Sequence, residues 1–404
     1  MLEKIIYIMG IVFVFYVGYY LITSVGIFKK KKVTIDDDGK KNFFAVIVAA
    51  RNEESVIGKL IDSLKKQSYP SEYFDIYVIV NNCTDDTALV AEKAGAKVIS
   101  CTEKVSTKGE VLKYTFDLFK DNNKIDAYAI FDADNIVHHD FLAKMNDMIN
   151  SGYSVAQGFR DTKNISDNWL TSSYAILYYF QSLFLNEARY NMGRSSFLNG
   201  TGFIIKKEVI DKHGFNPKTV TEDVEFTAMC AINNEKIGFA TEAITYDEQT
   251  DSFDASWKQR KRWSFGTMEC LREYFPTLLK KGIKERNFEC FDVGLFYLSV
   301  ILHVVFNLLP IFLIINMIIH FNDLTFDNII YKIIFIVISY LFGVFVRIVL
   351  LKRYNKSFKN NIGGVLLFDL FVISWLPINF ICLFIKSCNW DSIKHNGSVD
   401  IENV

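Results

Sequence analysis

Half of the 404 residues are hydrophobic and 23% are charged, so the apolar residues must be clustered for a water-exposed part to coexist with them. The 45 basic and 46 acidic residues leave a net charge of −1, without the basic excess of a nucleic-acid binder. Seven scattered cysteines with no C-x-x-C pair argue against a zinc site or a disulfide framework and read as reduced thiols in a cytosol-facing domain.

Ile5 to Phe28 is a run of 24 residues without a charge, long enough to cross a bilayer as an uncleaved anchor. Lys29 to Lys32 follow it and place that end in the cytoplasm. Phe43 to Ala49 is a continuous apolar run, as in a buried parallel strand. Asn52 to Lys66 shows helical spacing, with Val56, Leu60, Ile61 and Leu64 on one face. Strands at Tyr77–Val80, Lys97–Ser100 and Ala127–Phe131 then alternate with helices at Asp86–Ala94 and Lys108–Phe119. That alternation predicts a parallel, doubly wound sheet, with ligands at the carboxyl ends of its strands. Neither a G-x-G-x-x-G nor a G-x-x-x-x-G-K-S/T loop is present, which argues against a dinucleotide cofactor and a P-loop.

The membrane pattern returns near residue 293. Val293 to Phe321 carries no acidic or basic side chain apart from His303 and His320. As one helix it would reach about 43 Å, so it reads as a tilted span or as a span plus an in-plane segment, with Pro310 as a kink. Further spans are predicted at Ile329–Leu351 and Ile362–Ile385, the latter carrying Asp369. A carboxylate there needs a partner, and Arg347, His303 and Asn379 are the candidates. The basic loop with Lys352, Arg353, Lys356 and Lys359 between them reads as cytoplasmic. The predicted units are an anchor over 1–32, a globular domain over 33–250, interfacial helices over 251–290, membrane helices over 291–388 and a tail over 389–404.

Chemistry is sought after the strands. Arg51-Asn52-Glu53 follows the first strand and Asn81 the second, and both also suit helix starts. Asp132-Ala133-Asp134 ends the fourth strand. Two carboxylates on one face of a strand repel unless a cation joins them, and Mg2+ or Mn2+ binds such acids together with phosphates. Asn199-Gly200-Thr201-Gly202 makes a tight turn, Thr221-Glu222-Asp223 heads a predicted helix, and Gln259-Arg260-Lys261-Arg262-Trp263 lies in a basic, aromatic helix ahead of the membrane.

Taken in order, D-A-D, N-G-T-G, T-E-D and Q-R-K-R-W resemble the pattern of membrane-bound processive family-2 glycosyltransferases, the group of hyaluronan, chitin, cellulose and poly-N-acetylglucosamine synthases. The resemblance covers residues 43 to about 265. It implies an α/β GT-A, Rossmann-like cytosolic domain with interfacial helices and α-helical transmembrane segments. It also implies a UDP-sugar donor, Mg2+ or Mn2+, an inverting single displacement, and a multi-pass protein of the cell membrane with its catalytic domain in the cytoplasm. By that resemblance the donor is held by Arg51, Asn52, Glu53, Asn81, Lys108, Asp132, Gln259, Arg262 and Trp263, and the metal by Asp134 and Asp132. The acceptor meets Asn199, Gly200, Thr201, Gly202 and Trp263, and Asp223 with Glu222 supplies the catalytic base. Many relatives have an acid where Asn81 stands. The expected product is a growing polysaccharide, processive and coupled to export, with export or accessory subunits as possible partners. The alternatives are transfer of one sugar to a lipid acceptor and, in another class, a transporter or receptor with a nucleotide-binding domain.

Overall fold

A computed structural model describes residues 2–31, 39–319 and 326–388; Lys32, His320 and the tail 389–404 lie outside the described residues. Among these, eight strands form one sheet: β1 Phe44–Ala50, β2 Phe74–Val80, β3 Lys97–Ser100, β4 Ala127–Asp132, β5 Ile136–Val137, β6 Val155–Thr162, β7 Phe203–Lys206 and β8 Ile237–Asp247. Their order is β3-β2-β1-β4-β7-β6-β8-β5.

The first half follows from the apolar runs. β1 pairs in parallel with β2 and β4, Val46 standing opposite Ile76 and Ala129. Alternate residues feed two cores: Phe44, Val46 and Val48 pack with Leu60, Ile61 and Phe131 on one face, and Ala45 and Ile47 with Leu112, Phe116 and Ile205 on the other. The expected all-parallel sheet is corrected beyond β4. Gly200 and Gly202, at φ +90° and +60°, turn the chain back so that β7 runs antiparallel to both β4 and β6. The helix expected from Asn52 starts only at Ile57 and runs to Lys65. Asn52 sits at φ +57° and its Oδ1 accepts from the backbone N of Thr84 at 2.8 Å, so this stretch is a turn tied to the loop after β2.

Among the described residues, four helices are long and apolar enough to cross a membrane: Leu2–Phe28, Ser299–Ile319, Ile330–Arg353 and Lys359–Cys382. The long stretch after residue 290 divides into helix Phe288–Tyr297 and helix Ser299–Ile319. The first belongs to the globular side, where the Tyr297 hydroxyl donates to the Val224 carbonyl at 2.7 Å. Arg347 is the partner of Asp369, donating from Nη2 at 2.5 Å; His303 and Asn379 instead bond each other at 2.9 Å.

Both basic ends of the membrane helices touch the α/β unit. Lys31 Nζ donates to the Tyr153 hydroxyl at 2.6 Å, Arg353 pairs with Glu187 at 2.6 Å and Lys356 with Asp161 at 2.9 Å. The anchor is also held by a buried pair, Arg189 Nε to Asp292 at 2.9 Å, to which the Tyr19 hydroxyl adds a bond at 2.5 Å.

Candidate active site

A cavity of about 540 Å3 opens at the carboxyl ends of β1, β2 and β4 and continues to the first turns of helix Ser299–Ile319 and to Val372, Trp375 and Asn379 of the span Lys359–Cys382. At the strand end, Arg51 donates from Nε to the Asn81 carbonyl at 3.2 Å and from Nη2 to the Val105 carbonyl at 3.3 Å. The Asn81 side chain is buried and its Oδ1 has no hydrogen-bond partner. Lys108 begins a helix whose cap is a reciprocal bond between Thr107 and Glu110. That cap aims the ammonium across the cavity: it bonds Asp132, donates to the Gly200 carbonyl at 2.6 Å and stands 3.7 Å from Glu222.

Seven carboxylates line this one cavity: Glu53, Asp132, Asp134, Glu222, Asp223, Asp247 and Glu248. Burial raises the pKa of Asp132, but the charge and hydrogen bond of Lys108, with Arg160 and Arg262, outweigh it and hold that carboxyl below its usual range. Burial dominates at the head of helix Glu222–Ile232 instead. It pushes Asp223 up and Glu222 up to about 7, against the opposing charge of Lys108. Asp247 is raised by burial too, although Arg160 Nε donates to its Oδ2 at 2.6 Å. Its Oδ1 is buried without a partner, and the nearby charge of Asp134 adds to the strain of keeping it ionised. The Asp134 Oδ2 accepts from the backbone N of Glu248 at 3.2 Å. A hard-oxygen cluster with an unsatisfied carboxylate oxygen fits Mg2+ or Mn2+.

The long helix Phe253–Lys284 closes the cavity. Gln259, Arg262, Trp263 and Thr267 fall at i, i+3, i+4 and i+8 and all line it. Arg260 is on another face, fully buried, where it donates to Ser374 Oγ at 2.8 Å and the Phe371 carbonyl at 3.2 Å and so ties this helix to the membrane helices. Trp263 stands among the rings of Tyr174, Tyr178 and Trp375, with centroids 6.0–6.3 Å away. Gly266 lets this helix lie on the Thr221-Glu222-Asp223 turn: a Cβ there would fall 2.3 Å from Thr221 Oγ1. Gly266→Ala is therefore expected to destabilise the fold by about 1–3 kcal/mol and to slow turnover by displacing Asp223. Thermal unfolding and initial rates on the detergent-solubilised protein check both effects.

The cavity thus gathers Arg51, Glu53, Asn81, Lys108, Asp132, Asp134, Asn199, Gly200, Glu222, Asp223, Gln259, Arg262 and Trp263. Three expected site residues stand elsewhere. Asn52 is exposed and pins two loops together. Thr201 is buried behind the cavity, its Oγ1 accepting from the backbone N of Asp132 at 3.0 Å, and Gly202 packs against Thr245. Sequence reasoning missed Arg160, Tyr178, Asp247, Glu248, His303 and Asn379 as lining residues. Asp247-Glu248 was legible as an acidic pair at the end of a strand, whereas Arg160 lies inside β6 and carried no signal.

A mixed sheet with a nucleotide-sized cavity at its strand ends and an acidic D-x-D beside it is the architecture of the GT-A, Rossmann-like glycosyltransferases. The profile of "Glycosyltransferase like family 2" matches residues 41–266, and the chain belongs to that family. It is 23% identical over 277 residues to the probable glycosyltransferase YdaM of Bacillus subtilis, covering 62% of each chain. It is 26% identical over 241 residues to the beta-monoglucosyldiacylglycerol synthase of Synechocystis sp., covering 56% of this chain and 48% of that one. The match thus spans about half to three fifths of the length of these curated relatives. Among solved structures, a mannosyltransferase from Pyrobaculum calidifontis in complex with GDP-Man and Mn2+ shares the fold at a TM-score of 0.60 and 14% identity, covering 93% of this chain and 99% of that one.

Proposed function

We propose that this chain moves a single sugar from a UDP-sugar to a lipid acceptor at the cytoplasmic face of a membrane, with inversion. The observation that carries the reading is one continuous cavity reaching from the strand ends to Ser299, His303 and Asn379 on helices apolar enough to span a bilayer. Several relatives are named beta-monoglucosyldiacylglycerol synthases, which agrees with a lipid acceptor.

The lining suits a nucleotide sugar. Among the described residues, the buried Oδ1 of Asn81, Oδ1 of Asn199 and Oε1 of Gln259 have no protein donor. Uncompensated burial of such groups costs free energy, and sugar hydroxyls or the imide N–H of uracil would satisfy them. Arg262 and Lys108 oppose charge developing on a departing diphosphate. Asp223 takes the acceptor hydroxyl's proton as the new glycosidic bond forms. Asp132 and Asp134 would hold a divalent cation, with Asp247 beside them. Such a cation supplies Lewis-acid stabilisation of the diphosphate.

A lipid acceptor is preferred to an exported polymer because several relatives are named beta-monoglucosyldiacylglycerol synthases and because the cavity is shallow along one of its two membrane helices. The hydrocarbon core is roughly 30 Å thick. The cavity meets helix Ser299–Ile319 only at Ser299, Val300 and His303, about 6 Å along its axis at 1.5 Å per residue. Both basic ends of the membrane helices touch the α/β unit, which supports a shared cytoplasmic side.

The test is a screen of UDP- and GDP-sugars with the full chain in lipid vesicles and a divalent cation, reading nucleotide release and product mass. A lipid heavier by one sugar is expected. A ladder of sugar polymer would establish the processive reading instead. A protein that binds the nucleotide sugar without ever releasing the diphosphate would be a binding module.

A further inference from the structure

The membrane end of the cavity has its own polar constellation, used by none of the steps above. Trp375 Nε1 donates to Ser264 Oγ at 2.8 Å. Ser264 Oγ donates to Asn379 Oδ1 at 2.6 Å. Asn379 Nδ2 meets His303 Nδ1 at 2.9 Å. An indole N–H can only donate, and Asn379 turns its Oδ1, which only accepts, to Ser264 and its Nδ2, which only donates, to His303. Ser264 must accept from Trp375 and is left to donate to Asn379. The Asn379 amide N–H donates to His303. His303 Nδ1 accepts, and the ring hydrogen sits on Nε2. Among the described residues no protein group bonds that nitrogen, and His303 lines the cavity.

The surroundings decide what this N–H serves. Val300, Val372 and Trp375 line the cavity with His303 and are apolar, and Ser264, Asn379 and Trp375 of the relay carry no charge. Arg260, a buried cation of the same helix as Ser264, is engaged by Ser256, Phe371 and Ser374. Arg262 and Lys108 also line the cavity, and Lys108 is bonded to Asp132 and Gly200 at the strand end. A phosphate monoester or diester set against His303 would meet one neutral donor, Arg262 being the cation proposed for the sugar donor's diphosphate, and burying such a charge unpaired is costly. A neutral oxygen would find a single oriented donor.

We infer that His303, held by the Trp375–Ser264–Asn379 relay, is an acceptor-specificity residue that donates from Nε2 to an uncharged oxygen of a hydroxyl-bearing lipid and selects against lipid phosphates. The inference rests on the lipid-acceptor reading. His303 is a positioning group for the acceptor and takes no proton in the transfer.

The test compares two substitutions of similar size. His303→Gln places an amide N–H near the position of Nε2. His303→Asn keeps a polar group near Asn379 at the Nδ1 position and loses the outward donor. The full chain is assayed in phosphatidylcholine vesicles containing either dioleoylglycerol or undecaprenyl phosphate, with the UDP-sugar that the screen identifies. The wild-type chain is expected to glycosylate the diacylglycerol. His303→Asn should raise the KM for that lipid by about threefold to tenfold, the worth of one neutral hydrogen bond, with a smaller change in kcat. His303→Gln should recover most of the loss. Equal KM values in the Asn and Gln variants, or a wild-type preference for the lipid phosphate, overturn the inference while lipid transfer itself stands. Sugar polymer with no lipid product from either vesicle overturns the lipid reading and this inference with it.

Discussion

Asp223→Asn is expected to lower sugar transfer by about 10²–10⁴-fold, the usual contribution of a positioned general base, while the nucleotide still binds with near wild-type affinity. The asparagine is nearly isosteric and keeps the backbone bonds at the start of helix Glu222–Ile232, but cannot take a proton. Binding measured by calorimetry and turnover measured by nucleotide release separate the two. Loss of nucleotide binding in the variant would make Asp223 a structural residue.

The same carboxylates set the pH dependence. Burial pushes Glu222 up to about 7 and pushes Asp223 above its ordinary value. The charged groups acting on Glu222 are Lys108, which favours ionisation, and Asp223 and Asp132, which oppose it. Below about pH 7 the Glu222–Asp223 pair therefore retains a proton, and two interacting acids lose it as a pair. A base works only when ionised, so kcat/KM should rise with pH up to about 7 and level off above. Glu222→Gln removes one negative charge beside Asp223, which should move that limb to lower pH. A profile that falls as pH rises towards 7 would contradict the assignment.

The first half of the sheet was legible because β1, β2 and β4 are largely buried on both faces. Runs such as Phe43 to Ala49 are apolar throughout, and turn residues or helical spacing follow each one. The second half was not. β6 carries Gln157, Gly158, Arg160 and Asp161, polar residues that a strand pattern does not predict. They are polar because Arg160 must face the cavity and Asp161 must receive Lys356 and Tyr179. Thr201 and Gly202 drew attention for the right motif and the wrong reason. Their turn reverses the chain into β7 and buries both residues, leaving only Asn199 and Gly200 on the cavity wall. His303 and Asn379 stood out as polar residues in apolar helices, yet spacing alone offered them to Asp369. Only packing shows that Arg347 takes that carboxylate and frees the other two for the cavity.

Asp134→Asn is expected to abolish the part of nucleotide release that depends on a divalent cation, a loss of roughly a hundredfold or more if the ion supplies several kcal/mol. The two aspartates of the D-x-D are not equivalent. Asp132 is already engaged by Lys108, whose charge holds it ionised without help from a metal. Asp134 is 8% exposed, receives the backbone N–H of Glu248 and faces the raised, partly unsatisfied Asp247. Its carboxylate thus stands with Asp247 and Glu248, three acids met by the two cations Arg160 and Lys163, where added positive charge relieves repulsion. Substituting asparagine keeps shape and the Glu248 contact but removes the charge. Direct Mn2+ binding, read by electron paramagnetic resonance in the presence of UDP, should weaken strongly in Asp134→Asn. In Asp132→Asn the ion should be retained better, while Lys108 loses its anchor and nucleotide affinity suffers. If Asp134→Asn binds Mn2+ as the wild type does and turns over normally, the cation is held elsewhere, and Asp247 with Glu248 becomes the pair to replace next.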